Sequence, residues 1–101
     1  MANRSADGVA HFPSWSAEVL HFLAEQRDVV AIGHDTPDTD PGLVVSRREA
    51  PLEDYWLRQG KWQIELLANL EQVPEHGAII IAAWPKPKDG SGFPARCFAV
   101  V

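Results

Sequence analysis

Three aspartates, Asp35, Asp38 and Asp40, crowd the stretch from His34 to Gly42. Carboxylate oxygens are the ligands that hard cations take, so the stretch invites a metal reading. Counting from Asp35 finds no glycine at the sixth position and no glutamate at the twelfth, so this is not an EF-hand loop. Thr-Pro-Asp and Asp-Pro-Gly are ordinary turn chemistry, with aspartate side chains accepting from nearby N–H groups, and that reading is the favoured one. Glu65 stands among apolar neighbours between Trp62 and Leu70. Facing inward it would need a cation or a hydrogen bond, but its spacing from Gln63 favours a shared solvent face on a strand.

No two of His11, His21, His34 and His76 stand three or four residues apart, which excludes a two-histidine zinc helix. Glu18, His21 and Glu25 fall together on the polar side of a helix and read as solvated side chains. His34 leaves the end of an apolar run, the place where α/β folds put their ligands, although a plain loop histidine is the more common case. The Lys86–Arg96 region lacks P-loop spacing, and no helix follows Gly92 to offer its N-terminus. Ser91 has no nucleophile-elbow context. Cys97 reads as a small apolar strand residue, and the four tryptophans as packing.

The elements that must carry these groups follow from periodicity. Trp15, Val19, Phe22 and Leu23 share a helical face, so a helix is expected from about Trp15 to Gln26, with Ser14 or Ser16 as its cap. Val29–Gly33 reads as a buried strand, and 43–50 as an extended connection. Pro51 opens a second helix that stops at Gly60. Residues 62–66 alternate apolar and polar, as a strand with one wet face does. A turn or short helical piece ends at Val73-Pro74. Ala78–Trp84, the most apolar run, is expected as a central strand, antiparallel to a last strand at 95–101.

The chain has 101 residues, with 9 Lys+Arg against 14 Asp+Glu and a formal charge of −5. One small core and one domain, 1–101, are expected at this length. The acidic balance, without basic runs, argues against nucleic acid or an anionic membrane surface. No stretch approaches a membrane span, and Met1 to His11 lack the pattern of a secretory signal, so a cytoplasmic location is expected. One cysteine allows no internal disulfide. The expected fold class is α/β, a small mixed sheet with one long helix packed on a face. Four strands and two helices leave edges and a face uncovered, so completion by oligomerisation is expected.

The order of several segments resembles one family. These are Phe12–Ser16, Val30–Thr36, Asp40–Gly42, Ile64–Pro74 and Gly90–Arg96. Together they look like the C-terminal half of the putative cyclases, metal-dependent amide hydrolases that include kynurenine formamidase and isatin hydrolase. The resemblance implies half of a cyclase-like (swivelling β/β/α) fold and, in the complete enzyme, a divalent metal such as zinc or manganese. The family's His-x-Gly-Thr-His-x-Asp-x-Pro segment, which supplies the principal ligands, does not occur in these 101 residues.

In dinuclear members, a histidine and a glutamate from the C-terminal half complete the site. Glu65 matches that glutamate, as a ligand only if a partner segment supplies the rest. The histidine is expected near Glu53 and Asp54, where the chain has none and Glu53 offers an oxygen instead. By this reading the isolated chain has no cofactor and no catalytic residue of its own, and is inactive alone. His34, Asp35 and Asp40 are expected at the mouth of a pocket for a small aromatic or amide ligand. Expected partners are a second copy or an N-terminal half. The alternative is a free-standing homodimeric module that binds a small molecule or a protein.

Overall fold

Ser16 decides where the first helix begins: its hydroxyl accepts from the Val19 N–H at 3.2 Å, and α1 runs Ala17–Glu25. The computed structural model describes residues 8–101, in two units, one ending at Ala68 and the other Asn69–Val101. In the first unit, β1 (Ala31–Gly33) follows α1 after a turn at Asp28, whose φ is 49°. Two short helices, α2 (Gly42–Val45) and α3 (Pro51–Leu57), lead to β2 (Trp62–Ile64). β1 and β2 are parallel, Ile32 opposite Gln63. A parallel pair requires a crossover, and the segment carrying α2 and α3 is that crossover.

The core of this unit is Leu20, Ile32 and Trp56, with Trp15, Leu23, Val29, Leu52 and Tyr55 packed against it. Trp56 is fully buried, and its indole N–H donates to the Trp62 carbonyl at 2.9 Å, so the ring's one polar atom is satisfied. Gly42 permits the segment before α1 to lie against α2. A Cβ there would stand 2.7 Å from the Ala10 backbone, and the Gly42 N–H donates to the Phe12 carbonyl.

The second unit holds a 3-10 turn, Leu70–Gln72, then β3 (Ile79–Ala83) and β4 (Arg96–Val100). These strands are antiparallel, with Ile81 opposite Phe98.

The fold class is small mixed α/β, with three α-helices and two two-stranded sheets among the described residues. Several expectations are corrected. Among the described residues the four strands do not share one mixed sheet: β1 pairs with β2, and β3 with β4. Apolar runs name the strands but carry no information about which edges meet. The Ala78–Trp84 run is not a buried central strand, since Ile79, Ile80 and Ile81 are all exposed. The long helix is nine residues, and its buried side chain is Leu20, whereas Val19 and Phe22 are exposed. Trp15 precedes the helix, so the face counted from it was rotated. Residues 43–50 are not wholly extended, because α2 occupies their start. Val30, expected in a buried strand, precedes β1 and is exposed.

Candidate carboxylate site

The loop after β1 is built by its own side chains. The Asp40 N–H donates to Asp38 Oδ1 at 3.1 Å, and the Thr36 hydroxyl donates to the Asp38 carbonyl. The turn reading of this loop therefore holds for Asp38. Asp40 does more. Fully buried, it accepts the Leu52 N–H on Oδ1 at 2.8 Å and the Glu53 N–H on Oδ2 at 3.0 Å. Two N–H groups of the first turn of α3 are thus capped by a residue twelve positions upstream, and the negative charge lies at the favourable end of the helix dipole.

That cap draws Glu53 to the loop. Asp38, Asp40 and Glu53 each offer an oxygen, and the three oxygens lie within 4.8 Å of one another. Gln63 on β2 ties in a fourth carboxylate. Its amide donates to Glu53 Oε1 at 3.2 Å and to Glu65 Oε1 at 3.1 Å, while its own oxygen accepts from the buried Thr39 hydroxyl. Glu65 lies one residue beyond β2 and is exposed.

Like charges gathered in a partly dry place resist ionisation. Partial burial, then the Asp38 and Asp40 charges, hold the Glu53 carboxyl above the ordinary carboxylate range. Glu65 is raised by partial burial and by Asp38 and Glu53, against the opposing hydrogen bond from Gln63.

His34 is buried and stands apart from this cluster. Its Nδ1 accepts the Trp15 indole N–H at 2.9 Å. An indole nitrogen can only donate, so the neutral imidazole carries its proton on Nε2. Nε2 is buried without a partner. Neither ring nitrogen therefore offers a lone pair to a cation. Burial lowers the His34 pKa, against the raising effect of Asp38 and Asp35. Asp35 itself is exposed on the loop.

The four residues singled out from sequence thus occupy three settings. Asp40 and Glu65 join the carboxylate group, His34 is buried and accepts from Trp15, and Asp35 faces solvent. The sequence reading favours turn chemistry for Asp35, Asp38 and Asp40 alike and gives Gln63 no organising role. The Gln63-x-Glu65 spacing was a usable signal for a shared face. Nothing local predicts that Glu53 reaches both. Asp38 also lines a cavity of about 320 Å³, together with Phe12, Pro37, Val45, Ser46 and Arg48.

The donor set is all oxygen. It suits magnesium, calcium or manganese better than a catalytic zinc, which takes imidazole nitrogens. Asp40 is already committed to α3, so Asp38, Glu53 and Glu65 are the carboxylates with capacity to spare. Of these, Asp38 and Glu53 belong to the group whose oxygens lie within 4.8 Å, and Glu65 joins it only through the Gln63 amide.

Comparison with known proteins gives two findings. Residues 2–41 match the family described as Putative cyclase. Over 92 residues, 90% of this chain, the sequence is 30% identical to an isatin hydrolase from Roseibium aggregatum. The chain spans 35% of that relative's length. Over the matched residues the chain is similar to the putative cyclases and to that isatin hydrolase.

Proposed function

We propose that this chain supplies the carboxylate side of a metal-dependent amide-hydrolase site and does not catalyse alone. The observation that carries the reading is the gathering of Glu53 and Glu65 on one amide, Gln63, with Asp38 alongside. The relative's printed name, isatin hydrolase, supports hydrolysis of a cyclic amide as the class of chemistry. A divalent ion at such a site makes bound water acidic and polarises the amide carbonyl. About three protein ligands and an open position are needed for that. Here Glu65 and Glu53 would be the oxygen ligands, Gln63 would orient both, and Asp40 would fix Glu53 through α3. The imidazole ligands would have to come from a His-x-Gly-Thr-His-x-Asp-x-Pro segment, which does not occur in these residues.

The test is calorimetric titration of zinc and of manganese into the 101-residue chain, alongside assays with isatin and N-formylkynurenine. No stoichiometric ion and no turnover are expected. Adding a polypeptide that bears the histidine segment should give activity, which Glu65→Gln removes. Stoichiometric metal with turnover by the chain alone would overturn the reading.

The cavity beside Asp38 favours a second reading, a binding module for a small amide or aromatic ligand. Its apolar wall of Phe12, Pro37 and Val45 and the polar groups of Asp38, Ser46 and Arg48 suit a ligand with a ring and a charged end. Saturable binding of isatin, abolished by Val45→Trp and retained in Glu65→Gln, separates it from the first.

A further inference from the structure

We infer that the hydrogen bond between Trp15 and His34 is a proton-operated latch. It holds the Trp15 indole at the end of β1 while the imidazole is neutral and lets it go when the imidazole takes a second proton. The indole N–H donates to His34 Nδ1 at 2.9 Å. The two rings meet edge to face, with centroids 6.5 Å apart and planes at 70°. A neutral imidazole that carries its proton on Nε2 has one lone pair in the ring plane, on Nδ1. A second proton therefore takes the same lone pair that the indole uses. An indole nitrogen only donates, so proton and indole exclude one another.

The surroundings make the exchange costly to avoid. His34 is 8% exposed, and its Nε2 is buried without a hydrogen-bond partner. An imidazolium held in this place would bury two N–H donors and a charge with no acceptor for either donor, which costs more than giving up one hydrogen bond. The backbone of His34 is fixed on both sides. Its N–H donates to the Ile64 carbonyl at 3.1 Å, and its carbonyl accepts the Leu67 N–H at 3.0 Å. Trp15 is half-buried and lies before the first residue of α1, so its ring is the part with freedom to leave. Ala10 and Phe12 stay tied through Ser46 Oγ and the Gly42 N–H, which confines the release to the indole and its turn.

Burial is the strongest influence on the ring and disfavours the imidazolium, against Asp38 and Asp35 of its own loop, which favour it. Neither aspartate forms an ion pair with the ring. From the segment before α1 the neighbour is Trp15, and from the chain after β2 the neighbours are Ile64 and Leu67; none of these titrates. Glu65, between the last two, is exposed and bonded to the Gln63 amide.

Nuclear magnetic resonance of the nitrogen-15-labelled chain, without added metal, follows both ends of the latch from pH 8 to pH 5. Trp15→Phe identifies the Trp15 indole among the four tryptophans. Its resonance should move, and its exchange with water should rise several-fold, at the midpoint where the His34 ring titrates. That midpoint is expected below the ordinary imidazole value of 6.5. In Trp15→Phe the neutral ring loses its hydrogen bond, so the His34 midpoint should move upward by about half to one pH unit. His34→Asn offers an oxygen that accepts the indole N–H and never takes a proton, and should hold the indole resonance constant over the range. An indole that does not respond while His34 titrates would overturn the latch. So would an unchanged His34 midpoint in Trp15→Phe, which would reduce the contact to packing. Should Trp15→Phe not fold, assignment through the backbone leaves the wild-type midpoints to decide: coincidence supports the latch and separation sinks it. A chain that unfolds as a whole before His34 titrates also overturns it.

Discussion

The two units differ in the opposite sense to their hydropathy. The unit ending at Ala68 mixes short apolar runs with acidic loops, yet buries Leu20 and Trp56 completely. The unit Asn69–Val101 holds the most apolar run of the chain, yet none of its residues is buried. Burial is produced by elements closing on one another from several directions, which helices α1 and α3 and strand β1 achieve around Ile32. A hairpin supplies one layer only. Apolar composition therefore marks what a segment needs to cover, while the fold decides whether the same chain covers it.

The largest test of this contrast is a pair of truncations. Trp56→Ala removes a fully buried ring together with its hydrogen bond to the Trp62 carbonyl, a loss of roughly 3–5 kcal/mol. Ile79→Ala, at an exposed site of higher hydropathy, should cost no more than about 0.5 kcal/mol in the single chain. Urea denaturation followed by tryptophan fluorescence compares them, and equal losses would break the contrast.

A smaller effect is expected where a polar group, not an apolar one, ties the first unit together. Asp40→Ala leaves two N–H groups of α3 without acceptors and should lower stability by about 1–3 kcal/mol. Asp40→Asn, which keeps one acceptor oxygen, should recover part of it. Thermal unfolding of both variants measures the difference, and a neutral Asp40→Ala would show that the cap contributes nothing.

The smallest effect is electrostatic. Glu53 and Glu65 have raised carboxyl pKa values in the folded chain, so the folded state binds more protons than the unfolded state just above pH 4.5. Stability from these groups therefore grows as pH falls from neutral toward that range. His34 works the other way. Its lowered pKa makes the unfolded state the better proton binder below pH 6.5, so its contribution is lost as pH falls through that window. Glu53→Gln should be modestly more stable than wild type at pH 7, with the gain fading near pH 4. Chemical denaturation across that range reads it, and a constant difference would remove repulsion as the cause.

Much of the local structure was legible in the sequence. Ser16 as the cap of α1, Pro51 at the start of α3, a strand beginning at Trp62 and the β3–β4 hairpin all depend on short-range sterics and hydrogen bonding. The expected alternation over 62–66 is not seen, since the strand ends at Ile64 and its three residues are equally half-buried. The turn chemistry of Asp38 was legible for the same reason. The helix face was misjudged because Trp15, which anchored the count, lies outside the helix and packs from the preceding turn.

What sequence determined by itself, then, was element type and position, along with the charged and apolar inventory, because each is fixed by neighbours a few residues away. Only tertiary structure decided that Asp40 would cap a helix twelve residues on, that Gln63 would hold Glu53 and Glu65 together, and that His34 would accept the Trp15 indole N–H. Those outcomes depend on how the crossover between two parallel strands folds back. Contacts across such a loop come from the packing of α1, α3 and β1 around a shared core, not from any local spacing.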